Sequence, residues 1–348
     1  MIDLTKPISP TFELNNICNL MCPQCSRNSI IDGVLQKNPD GTGNPTNSLD
    51  DYQMSFDQFK TCFDNMGNVG FVKFYGTVSE NVASSNFYEI NEYIIQNDAR
   101  VLTSTNGSLR NPEWWSELGK LYASGKQNNL MVFCLDGLYD ALPLYRIGAN
   151  YEKIIDNAIA FIEAGGRAEW RMNLFKHNQH QLEDAQKLAK QYGFVKFTYQ
   201  YSNRKDVEQF TYRGKEYNVE PQDLWKEWET IKEERRKNTE VGNIICKYQV
   251  VNSIYVDYLC RVWPCCYLPH AKHLLGDQKF YDDYFYDKSN NLLEKDFREI
   301  MNDVFYDVLQ LSWEDKSSCL NPCANTCSFS NDSTKESART SNYRVDVW

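Results

Sequence analysis

The sequence has no apolar run approaching the ~20 residues that span a bilayer, so no membrane-crossing helix is expected. Its start, MIDLTKPISP, lacks the basic-then-apolar pattern of a secretory signal, and the expected location is the cytoplasm. It also lacks a basic cluster. Lys and Arg number 37 against 47 Asp and Glu, for a net charge of −10. A nucleic-acid-binding surface calls for a basic face. The densest basic run, around Arg235, alternates with acids on an expected helix, which is the pattern of a solvated face. Nucleic acid is therefore not indicated as a partner. Histidines number only four, none before His177, which leaves the early part of the chain no histidine base. No internal repeat is visible.

What the chain has in quantity is cysteine. Twelve occur, at 18, 22, 25, 62, 134, 246, 260, 265, 266, 319, 323 and 327. In a reducing compartment such a number favours metal over disulfides. Cys62 and Cys134 stand alone in sequence, the setting of small buried hydrophobes. With 348 residues, 42% of them hydrophobic, the chain can bury a sizeable core in two domains, or in one domain with an appendage.

Strand and helix patterns alternate along the first two thirds. Residues 11–17 alternate apolar and polar as a strand. A stretch rich in Gly, Pro, Asn and Asp over 32–50 reads as a loop insertion. Ser55 and Gln58 form a capping-box pair before Phe56, Phe59, Cys62 and Phe63, which share a helix face. Further strands are expected at 68–76, 99–107, 130–137, 168–175 and 194–202, each preceded by a helical pattern. Asn111-Pro112-Glu113 opens one helix and Gly165-Gly166 closes another. Six strand–helix units in order imply parallel strands through right-handed crossovers. Eight would close a full barrel, so six predict an α/β fold of partial (β/α)6, TIM-like form over 1–205. Its ligands would gather where the strands end. A polar helical bridge is expected at 206–240, a small cysteine-rich domain at 241–330, and a loosely held polar tail at 331–348.

The cysteine loop directly follows the first strand, with the sequence CNLMCPQC from Cys18 to Cys25. Three thiolates on one short loop can take three irons of a 4Fe–4S cube and leave the fourth iron open to an outside chelate. A zinc knuckle with a distant fourth ligand is the alternative. The spacing, after a first strand and before α/β repeats, resembles the radical S-adenosylmethionine (SAM) superfamily. The resemblance implies that Cys18, Cys22 and Cys25 hold the cluster and that its open iron binds SAM. An electron from the cluster then cleaves SAM to a 5′-deoxyadenosyl radical, which takes hydrogen from a substrate.

The resemblance extends to three further segments. Gly76, Thr77, Val78, Ser79 and Glu80 stand where this superfamily has its glycine-rich SAM-contacting segment, with Ser79 in place of a Gly and Asn81 in place of a Pro. Thr105 and Asn106 lie in a TNG turn expected near the SAM ribose. Cys134 replaces the usual Ser in a segment that runs on to Asp136, with Arg146 downstream. Arg171, with Asn173, on the next strand is within expected reach of SAM. Asp136 and Lys176 are candidates for a catalytic base, as is Glu169. Each segment also has a plain reading as a strand end or turn, and Lys176 and Asn178 equally suit a solvated loop.

The second cysteine group resembles the SPASM/twitch extension of radical SAM enzymes. Cys246 and Cys265 fit its opening pattern, with Cys260 where a Gly is expected. The implied ligands of one auxiliary 4Fe–4S cluster are Cys246, Cys265, Cys323 and Cys327. Cys260, Cys266 and Cys319 are in reserve, and structural zinc at the same four thiolates is the alternative. His270 and His273 are expected at the surface. The implied substrate is a peptide or small molecule, although no peptide-leader-binding domain is recognisable before the first strand. The implied reductant is a flavodoxin or ferredoxin. A non-catalytic iron–sulfur or zinc scaffold that binds a partner is the reading from a different class.

Overall fold

The computed structural model describes residues 2–38, 51–201, 208–223, 244–269, 290–302, 304–314, 319, 320, 323, 327 and 344–346. His270, His273, Arg235, most of the expected bridge and most of the tail lie outside them. Among the described residues no helix is long and apolar enough to cross a membrane.

The first strand, β1 (Thr11–Phe12), is followed by β2 (Asn28–Ile31), β3 (Val34–Lys37), α1 (Phe56–Met66) and β4 (Phe71–Phe74). Then α2 (Phe87–Gln96), β5 (Arg100–Thr105), α3 (Pro112–Ser124), β6 (Leu130–Cys134), α4 (Leu142–Tyr145) and α5 (Tyr151–Glu163) continue the chain. They lead to β7 (Ala168–Leu174), α6 (Leu182–Gln191) and β8 (Lys196–Tyr201). The local reasons are those the sequence carries. Ser55 and Gln58 cap α1 reciprocally. Asn111 caps α3 through the Trp114 amide, with Pro112 in the first turn.

Strands β1, β4, β5, β6, β7 and β8 are neighbours in that order and all parallel, as the strand–helix alternation requires. Trp115 of α3 packs edge-on against Phe161 and tilted against Phe133 beneath the sheet. Truncating such a fully buried aromatic costs about 3–5 kcal/mol.

Three features differ from expectation. The stretch 32–50 is not all loop. Residues 34–37 form β3, paired antiparallel with β2. Asp32 and Gly33, both with positive φ, make the turn, the conformation that an Asp-Gly hairpin favours. The helical bridge expected from 206 opens instead as a second hairpin of β9 (Glu208–Tyr212) and β10 (Lys215–Val219), turned at Arg213–Gly214. The two hairpins join as a four-stranded sheet, β10-β9-β3-β2. Leu35, Phe210, Val219, Ile147 and Phe175 form an apolar cluster beneath it, and that burial outweighs the charges that favoured a helix. Lastly, the tail contributes β13 (Arg344–Asp346), which pairs antiparallel with β8 and covers what would be an open edge.

The segment with the second cysteine group carries α7 (Lys247–Val250), β11 (Tyr255–Val256), β12 (Val262–Trp263), α8 (Phe297–Met301) and α9 (Val304–Leu311). β11 pairs parallel with β1, and β12 antiparallel with β11, so this segment extends the main sheet. Asn65 of α1 donates to the carbonyls of Leu292 and Lys295 and accepts from the Phe297 amide. The interior side chains form one continuous core with those of the parallel strands.

Candidate cofactor and metal site

The loop carrying Cys18, Cys22 and Cys25 leaves the C-terminal end of β1 and is pinned on several sides. The Glu80 amide donates to the Ile17 carbonyl at 2.7 Å and the Met21 amide to the Ile147 carbonyl at 3.0 Å. Asn28 Nδ2 donates to the Cys22 carbonyl at 2.9 Å, and Ser26 Oγ to the Thr77 carbonyl at 3.3 Å. All three thiols are free and half-buried. They lie close enough that charge on one raises the proton affinity of another. Burial, followed by the Glu80 carboxylate, pushes the Cys18 thiol up to about 11. Burial raises Cys22 further, against the pull of Arg146. A metal must therefore displace protons to bind here.

Among the described residues no three His, Cys, Asp or Glu side chains converge on a single-ion position. A cube asks for something different, because each thiolate takes its own iron. Three soft thiols spread over one short pinned loop fit that requirement.

The segment from Gly76 to Glu80 lies against this loop. A Cβ on Gly76 would stand 2.1 Å from the Ser79 carbonyl oxygen, so only glycine permits the turn. The Val78 amide and Ser79 Oγ donate to Glu13 Oε1 at 2.7 and 2.8 Å. Glu80 is buried. It accepts from Thr105 Oγ1 at 2.9 Å, the Asn106 amide at 2.7 Å and the Val82 amide at 3.3 Å. Burial raises its proton affinity and these donors oppose the rise. Glu80 thus ties the 76–80 turn to the Thr105–Ser108 turn. Asn106 in turn reaches the cysteine loop, with Nδ2 3.1 Å from Asn19 Oδ1 and 3.8 Å from Cys18 Sγ.

Cys134 ends β6 opposite Arg171 of β7. Burial raises its thiol, against Arg146 and Arg171 nearby. Arg171 donates to Glu169 Oε1 at 3.1 and 3.2 Å and lies 3.4 Å from Ser104 Oγ. Each of the three expected bases has a partner. Asp136 is fully buried; one oxygen accepts from Arg146 Nε at 2.7 Å and the other from the Asn173 amide at 2.6 Å. Lys176 faces solvent, paired with Glu220 at 2.6 Å, which raises its proton affinity. Glu169 is occupied by Arg171 and Thr198.

Cys246, Cys265, Cys323 and Cys327 line one small cavity together with Tyr248 and Trp313. Burial raises all four thiols, Cys323 to about 12. Cys260 lies elsewhere. It is fully buried, and its thiol is a hydrogen-bond partner of Cys62. Cys266 is next to Tyr248, and Cys319 is near Cys323 and Cys327.

Sequence reasoning missed Glu13, Tyr255 and Ser104 as neighbours of the site. Glu13 carried a signal, as a lone acid between Phe12 and Leu14 at the end of a strand. Nothing local flagged Tyr255, which reaches Glu13 from 242 residues away.

A parallel α/β sheet with a three-thiol loop at the end of its first strand defines a known layout. Streptococcus suis SuiB shares the fold with 13% sequence identity and a TM-score of 0.55, over 88% of this chain and 68% of SuiB. So does anSMEcpe, solved with bound AdoMet and Cp18Cys peptide, with 15% identity and a TM-score of 0.53 over 89% of this chain and 84% of that one. SuiB bound to the precursor peptide SuiA matches with 12% identity and a TM-score of 0.52, over 88% and 67%. At the level of the fold, these likenesses bear out the radical SAM resemblance. No protein-family model matches the sequence, and no curated protein matches it.

Proposed function

We propose that this chain is a radical SAM enzyme that modifies a peptide. The observation that carries the reading is the three-thiol loop at the end of β1, packed against a glycine turn that Glu80 ties to Asn106. The peptide is favoured over a small molecule because solved structures of the same fold contain peptides. We read the six parallel strands as a partial (β/α)6 barrel and residues 241–330 as an auxiliary-cluster domain. The reductant would be a flavodoxin or ferredoxin, and the setting a reducing cytoplasm.

In this reading Cys18, Cys22 and Cys25 hold a 4Fe–4S cluster. Cys246, Cys265, Cys323 and Cys327 hold a second one. When bound, cluster and SAM together supply reductive cleavage of the sulfonium and a 5′-deoxyadenosyl radical that takes hydrogen from the substrate. The chain's own residues bind and orient. The Gly76–Ser79 backbone offers polar groups beside the loop, and no side chain intrudes at Gly76. Thr105, Asn106, Cys134 and Arg171 line the neighbouring strand ends. Asp136 and Arg146 buttress Cys22 rather than transfer protons. Cys246, Cys265, Cys323 and Cys327 would hold the second cluster where, once bound, it could accept an electron from the substrate or anchor it.

Anaerobic reconstitution tests the reading. About eight irons per chain are expected for two cubes, with 5′-deoxyadenosine formed on reduction. Cys22→Ala should abolish that product and leave the fold intact. Cys265→Ala should lose about half the iron, keep uncoupled SAM cleavage and stop peptide modification. Zinc in place of iron, or no 5′-deoxyadenosine from fully loaded protein, would favour a non-catalytic scaffold.

A further inference from the structure

We propose that Glu13 is a positioning residue for the Gly76–Ser79 turn, and that Tyr255 of the C-terminal segment holds Glu13 in place. The proposal rests on the reading of that turn as part of the SAM site.

Glu13 and Tyr255 are each 1% exposed. One carboxylate oxygen of Glu13 accepts from the Val78 amide and Ser79 Oγ, and the Thr77 amide adds a further hydrogen bond. The other oxygen accepts from the Tyr255 hydroxyl. The main-chain amide of Glu13 donates to the Val256 carbonyl at 2.9 Å, next to Tyr255 on β11. An apolar side chain at position 13 would serve the sheet at lower desolvation cost, since burying a carboxylate is expensive unless its oxygens are filled. Here they are filled by donors from the turn and by one long-range hydroxyl. The arrangement fixes where the turn's polar groups point. The cysteine loop also has bonds outside the turn, from the Met21 amide to the Ile147 carbonyl and from Asn28 Nδ2 to the Cys22 carbonyl, and these hold the three thiols. β11 also pairs Tyr255 with Trp263, two residues before Cys265, so support for the turn comes from the segment that carries the second cysteine set.

Two near-isosteric variants test this. Tyr255→Phe removes only the hydroxyl, and Glu13→Gln exchanges the carboxyl group for an amide of the same size. In protein free of iron and SAM, amide hydrogen exchange at residues 77–79 should quicken about tenfold in both variants, the effect of losing one charge-assisted hydrogen bond. In reconstituted protein, KM and the dissociation constant for SAM should rise by a similar factor, while iron content and kcat stay near wild type. Unchanged exchange and unchanged SAM affinity would overturn the proposal. So would loss of iron from the N-terminal loop, which would make Glu13 a general support of the fold. If wild-type protein binds no SAM, the SAM-site reading fails, and the exchange measurement still decides whether Glu13 holds the turn.

Discussion

Arg146 and Asp136 form a buried ion pair beside Cys22, with Arg146 Nε 2.7 Å from a carboxylate oxygen of a fully enclosed Asp136. The pair links the residue that follows α4 to the segment just after β6, and both charges are felt at the Cys22 thiol. Asp136 spends its second oxygen on the Asn173 amide of β7. The connection between β6 and α5 and the end of β7 therefore share one electrostatic anchor beside the cysteine loop.

Removing the cation should be costly. Arg146→Leu leaves Asp136 charged and enclosed without its partner, and breaking a buried pair this way costs about 3–5 kcal/mol. Denaturant unfolding of the two proteins measures the difference. A loss below about 1 kcal/mol, the size typical of an exposed pair, would mean that solvent already reaches this carboxylate.

Gly76→Ala probes the turn proposed to meet SAM. The added methyl would meet the Ser79 carbonyl at 2.1 Å, so the backbone must move. A displacement of about 1 Å at a reacting site costs on the order of 100-fold in turnover. SAM cleavage should fall by that order while iron binding at Cys18, Cys22 and Cys25 persists. Wild-type cleavage by the variant would take the turn out of the site.

His177 predicts a pH effect. It stacks on Phe175 with centroids 5.4 Å apart. Among the described residues neither of its ring nitrogens has a hydrogen-bond partner. Burial lowers its pKa from 6.5 to about 4, although Asp136 pulls upward. The folded state therefore holds a neutral ring where the unfolded chain would take a proton. This contribution is complete above pH 6.5 and fades as pH falls toward 4. It amounts to at most about 3 kcal/mol, and less after solvent screening. Unfolding free energies for wild type and His177→Gln across that window should converge as pH drops. Parallel curves would show that the ring titrates normally.

The order of strands and helices was legible because each element carries its own periodicity and caps. Ser55 with Gln58, Asn111 before Pro112, and the apolar face of α5 are local signals that the fold uses directly. The two hairpins were harder to see. Their strands are four or five residues long and sit in polar surroundings. Only the cluster of Leu35, Phe210, Val219, Ile147 and Phe175 makes them worth forming. The partners of the expected bases were hidden for a related reason. A charged group at a strand end looks available until its partner is folded against it, Arg146 ten residues on from Asp136 and Glu220 44 residues from Lys176.

By itself, the sequence determined that three thiols would share one short loop after the first strand, and that the α/β units would follow in parallel order. Both are properties of spacing along the chain and survive any detail of packing. Tertiary structure decided the rest. It brought Cys246, Cys265, Cys323 and Cys327 to one cavity, set Cys260 against Cys62, and filled the oxygens of Asp136 and Glu13. Those outcomes depend on burial and on partners tens to hundreds of residues distant, because a buried charge must find its donors wherever the folded chain supplies them.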